Sequence, residues 1–131
     1  MLILLKVLVP LMFLGVLIAL LETSRHAIRY SCTRAEADLS LHRQWANRSF
    51  WLSLLAVLLT ELTVRLQGGV KNSDFLPIHL AFAVPFLVLL IMLRFWLTGV
   101  RSSMVHRWLA YACLAAYLGT FFTGFYLLQG L

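Results

Sequence analysis

The sequence is poor in acid: five Asp and Glu stand against eleven Lys and Arg. It holds two cysteines, Cys32 and Cys113, far apart and in neither a Cys-x-x-Cys nor a Cys-x-x-Cys-His stretch. A zinc pair and covalently attached c-type haem therefore have no signal. No Ser/His/Asp set, phosphate loop or redox cysteine motif occurs. That removes the usual signatures of hydrolases, nucleotide enzymes and thiol oxidoreductases. No stretch is long and polar enough for a soluble domain. An enzymatic site would have to lie between helices or in loops, and a non-enzymatic protein is expected.

What remains is apolar. Hydrophobic residues make up 62% of the chain and mean hydropathy is +0.90, against about half apolar in soluble domains. The length leaves room for about four spans of roughly 20 residues each. The expected fold is an all-α integral membrane four-helix bundle. Its helices are predicted at about 2–21, 45–66, 76–97 and 106–128, with a polar segment at 22–44; about Arg34 to Arg48 can form an interfacial helical lead-in, so that the second helix could start near Leu41. Leu21-Glu22-Thr23 is a poor cleavage sequence, so the first run reads as a retained helix and not as a cleaved signal peptide. The second helix ends at Gln67-Gly68-Gly69. Ser73 or Asp74 is expected to cap the third, with Pro77 in its first turn and Pro85 kinking its middle.

Charge sets the expected orientation. Arg25, Arg29, Arg34, Arg43 and Arg48 cluster before the second helix, and Arg94, Arg101 and Arg107 around the last turn. Both regions fall on one side, which the arginine excess marks as cytoplasmic. The N- and C-termini and the turn carrying Lys71 are then outside. The basic balance is a topology signal and gives no nucleic-acid footprint. Arg34 and Asp38, four apart, are expected to pair within the polar segment, and His26 is expected in its loop.

Four histidines and one intramembrane acid remain to be explained. His42 and His106 fall near the cytoplasmic face and could be axial ligands of a b-type haem, which needs two imidazoles from facing helices. Two interfacial histidines satisfied by water or lipid headgroups are the plainer alternative. Near the outer face, Glu61, Arg65, His79 and Thr123 fall at one depth, with Tyr126 above them. His79 with Glu61 could bind a metal such as copper or relay a proton; a structural hydrogen bond is the alternative. Arg65, four residues from Glu61, is its obvious partner. On the fourth helix Ala112, Ala116, Thr120 and Gly124 form a small-residue packing stripe. A second stripe of His106, Ala110, Cys113, Tyr117 and Thr120 should face the bundle interior. Cys113 is expected to be inert core.

Four features match a known pattern in order: His42-Arg43, His79 with Pro85, His106-Arg107, and Tyr117 with Thr123-Gly124. Over about residues 41–128 the chain resembles the small bacterial four-helix membrane proteins linked to maturation of haem–copper terminal oxidases. The further histidine of that family near the outer end of helix 2 is missing; Glu61 and Arg65 occupy the region. The resemblance implies a bacterial inner-membrane protein beside a respiratory oxidase, as an assembly factor, a cofactor-delivery protein or an accessory subunit. The alternatives are a b-haem electron carrier and a purely structural subunit of a larger membrane complex.

Overall fold

A backbone inside lipid has no water to bond with, so each apolar run closes its hydrogen bonds within a helix. The computed structural model describes residues 2–69, 73–96 and 104–129. Helices α1 (Leu2–Thr33), α2 (Glu36–Leu66), α3 (Leu76–Ile91) and α4 (Met104–Gln129) make up nearly all of it. A 3-10 turn, Ser73–Phe75, leads into α3, and a π-helical turn, Met92–Trp96, follows it. There is no strand among the described residues. The expectations for Lys71 and Arg101 lie outside them. Each of the four helices is long and apolar enough to cross a membrane. The outer surface displays large apolar side chains such as Ile3, Leu58, Trp108 and Phe122. The chain is a multi-pass transmembrane four-helix bundle.

The polar segment differs most from expectation. Its first half is helical too: α1 continues past residue 21 to Thr33, about 18 Å further. α2 begins at Glu36 and not near residue 45. The two helices form one long antiparallel hairpin whose turn is only Arg34 and Ala35. Arg34 takes the left-handed conformation there, at φ 55°, and its N–H bonds the Tyr30 carbonyl at 2.9 Å. Thr33 Oγ1 accepts the Ala35 N–H at 3.2 Å. Arg34 therefore does not pair with Asp38; its guanidinium lies over the Tyr30 ring at 5.9 Å. Cys32, beside this turn, is exposed.

The hairpin is helical because its inward positions repeat at alternating steps of four and three. On α1 these are Leu5, Val9, Met12, Val16, Ala19, Thr23 and His26, all buried or half-buried. On α2 they are His42, Ala46, Ser49, Ser53, Ala56, Thr60 and Thr63. This is the 3.5-residue repeat of left-handed helix packing. Most α2 positions are small, which lets two backbones approach closely in lipid. Their hydroxyls are satisfied at home: Ser53 donates to the Ser49 carbonyl at 2.7 Å and Thr63 to that of Leu59 at 2.7 Å. At the far end of α2, Gly68 (φ 80°) and Gly69 (φ 116°) reverse the chain. The Gly69 N–H reaches the Val64 carbonyl at 3.0 Å and the Gly68 N–H that of Arg65 at 3.1 Å, a closure that left-handed glycine favours.

α3 and α4 form the second antiparallel pair, with Pro77 in the first turn of α3 and Pro85 within it. Phe75 caps α3 without a side-chain bond; Asp74 lies in the 3-10 turn that precedes it. The α4 stripe expected to face inward does so: Cys113, Tyr117 and Thr120 are buried and His106 and Ala110 half-buried. The hairpins meet where Val16, Phe50, Ala56, Phe86, Leu90, Cys113 and Tyr117 form the core. Tyr117, wholly buried, donates its hydroxyl to the Phe13 carbonyl and so ties α4 to α1. Its ring packs on Phe86 at 5.3 Å between centroids.

Candidate functional site: histidines on the helix seams

All four histidines lie on the inward repeats of their helices, which explains how each pays for its polar ring in an apolar chain. His26 is the most enclosed, 7% exposed on α1. It is not a loop residue. Its Nδ1 lies 3.2 Å from Asp38 Oδ1 on α2 and its Nε2 lies 3.7 Å from Glu22 Oε2 one turn back. Thr33 Oγ1 donates to the other Asp38 oxygen at 3.3 Å. Arg25 reaches Glu22 at 3.2 Å. The result is a charged clasp across the closed end of the hairpin. Sequence reasoning missed it, although the four-residue step from Glu22 to His26 and the α1 repeat both point to it.

One helical turn further in, His42 Nδ1 lies 2.9 Å from the Thr23 carbonyl. A carbonyl only accepts, so Nδ1 carries the proton and donates. The Nε2 lone pair is then left for another partner, the arrangement that orients metal-binding imidazoles. The His42 ring stands near that of His106, at the start of α4, with centroids 6.3 Å apart and planes at 70°. The fold thus brings together the two histidines read from sequence as a haem pair.

The outer cluster assembles only in part. His79 Nδ1 lies 2.9 Å from Thr123 Oγ1. The Thr123 hydroxyl is itself spent on the Gly119 carbonyl at 2.6 Å, so the histidine N–H donates to Thr123. Glu61 does not join His79; its carboxylate accepts from Arg65 Nε at 2.7 Å, on an exposed face. Tyr126 stacks on Phe75, 6.0 Å between centroids. No group of three or more His, Cys, Asp or Glu among the described residues is placed to hold a metal ion. His79 with Glu61 thus does not form a metal shell; Thr123 is the partner of His79.

The small-residue stripe on α4 is also re-phased. Ala112 is exposed, Ala116 half-buried and Thr120 buried. Close approach to α3 is made by Gly119 and Gly124. A Cβ on Gly119 would strike the Phe82 ring, and one on Gly124 would lie 3.1 Å from His79 Cε1. Gly124 was legible in the stripe; Gly119, one position out of phase with it, was not.

Nothing matches this chain among protein-family models, curated proteins or solved structures. Function must therefore be argued from the paired histidines and from the residues around them. His42–His106 is the candidate site, because the two rings stand 6.3 Å apart between α2 and α4.

Proposed function

We propose that this chain is a non-enzymatic, multi-pass protein of the bacterial inner membrane that accompanies or assists a respiratory redox complex, as an assembly factor or accessory subunit. The observation that carries the reading is the pairing of the motif residues. Of the features that resemble the oxidase-maturation proteins, His42 faces His106 and His79 bonds Thr123. Tyr117 crosses to α1. The His42–His106 end, rich in arginine, faces the cytoplasm in this reading, with both termini outside.

The test is a deletion strain, scored by oxidase haem spectrum and respiration, with co-purification of the tagged protein in mild detergent. An assembly factor lowers mature oxidase and is missing from the finished complex. An accessory or purely structural subunit stays with it. Normal oxidase content together with no co-purifying respiratory complex would sink the proposal.

A second reading, a b-type haem electron carrier, is favoured by one observation, the 6.3 Å spacing of the His42 and His106 rings. His42 and His106 would hold the haem, which would supply one-electron transfer. The His42 N–H to Thr23 would hold one ring in the ligating tautomer. Protein made with adequate haem should then show a reduced-minus-oxidised spectrum that His106→Ala abolishes; absence of a Soret band refutes it.

A further inference from the structure

Glu22, Asp38 and Glu61 have basic partners within the bundle, and none of these partners is Arg48 or Arg94, two guanidiniums that flank one groove on α2. Among the described residues the ion pairs are Arg25–Glu22 and Arg65–Glu61, and the His26 ring lies against both Glu22 and Asp38. Arg48 lies over the Trp45 ring at 4.7 Å. Arg94, on the π-helical turn, lies over Phe95 at 5.6 Å and donates to Asn47 Oδ1 at 3.1 Å. Phe95 meets Phe50 edge-on at 5.6 Å, which seats the π-helical turn on α2. Below this junction a groove of about 430 Å³ runs along α2, lined by Asn47, Arg48, Trp51, Leu52 and Leu55. Its mouth is cationic and amide; its floor is apolar. Trp51 stays 60% exposed there.

We propose that this groove binds one anionic glycerophospholipid, with its phosphate at Arg48 and Arg94 and the start of its acyl chains along Trp51, Leu52 and Leu55. Charge complementarity selects the occupant. An apolar helix or a quinone would cover the floor and leave both guanidiniums without a counter-charge. Arginine presents a planar fork of donors that matches phosphate oxygens. Asn47 holds Arg94 at the mouth, so the second guanidinium is positioned before the lipid arrives. From Arg48 to Leu55 the groove descends about 10 Å along α2, from headgroup level into hydrocarbon. A zwitterionic lipid brings its own ammonium to the same phosphate and gains less from the arginines.

The test is native mass spectrometry of the full-length protein in detergent, titrated with phosphatidylglycerol or phosphatidylcholine of matched chains. Phosphatidylglycerol should be retained preferentially, with affinity falling about fivefold for each arginine lost in Arg48→Gln and Arg94→Gln. Arg65→Gln, at the other end of α2, should leave retention unchanged. Inorganic phosphate should not compete, since it cannot use the apolar floor. Arg48→Gln removes only a surface stacking contact, so it reports even if the Arg94 variant misfolds. Equal retention of the two lipids, undiminished retention in Arg48→Gln, displacement by inorganic phosphate, or a co-purified quinone or protein in place of lipid would each overturn the proposal.

Discussion

Replacing Asp38 with alanine tests whether the clasp at His26 holds the hairpin closed. Asp38 accepts from His26 at 3.2 Å and from Thr33 at 3.3 Å. A hydrogen bond to a charged group contributes about 1.5–3 kcal/mol, and breaking a fully buried ion pair costs about 3–5 kcal/mol. Here the side chains of His26 and Asp38 are 9% and 17% exposed, and Glu22 remains beside His26 after the substitution. The lower range applies, so Asp38→Ala should cost about 2 kcal/mol. His26→Ala should cost less, because Glu22 keeps Arg25 and Asp38 keeps Thr33. In a double-mutant cycle the two changes should couple by about 1–2 kcal/mol. Reversible unfolding in mixed micelles, followed by helical circular dichroism, gives the free energies. Hydrogen exchange should locate the added opening near residues 26–38. Coupling below about 0.3 kcal/mol would refute the clasp, being within the error of additivity.

Three further outcomes follow from the packing. Tyr117→Phe keeps the ring and loses only the bond to the Phe13 carbonyl, so it should cost about 0.5–1.5 kcal/mol; Tyr117→Ala empties the core and should cost about 3–5 kcal/mol by the same unfolding assay. Thr123→Val removes the acceptor of the His79 N–H and should cost about 0.6–1.7 kcal/mol, the range of interhelical bonds in bilayers; no loss would mean that His79 finds another acceptor. Gly119→Leu should separate α3 from α4 at Phe82, costing about 1–3 kcal/mol or shifting cross-linking yields between the two helices.

Much of this architecture is legible in the sequence, and the exceptions have physical reasons. Four apolar runs announced four helices, because lipid permits little else. The α4 stripe from His106 to Thr120 could be assigned to the interior because a polar position is costly toward lipid. The extension of α1 past residue 21 could not be read from hydropathy. Hydropathy reports which solvent a segment prefers, whereas the 3.5-residue repeat through Ala19, Thr23 and His26 reports what it packs on. The repeat crosses the water boundary without a break. Glu61 was placed with His79 by depth alone; depth fixes a level in the bilayer but not a bearing around the helix axis. The pairing of His42 with His106 was reachable because both lie on inward faces near the same end.

The two-residue turn of the long hairpin has a practical consequence. A turn so short gives a protease little to cut, yet it leaves Cys32 exposed beside it while Cys113 is 2% exposed in the core. The unmodified protein thus carries one reporter thiol and one silent thiol. A membrane-impermeant maleimide applied to sealed right-side-out or inverted vesicles should label Cys32 from one side only. In the proposed orientation, that side is the inverted one.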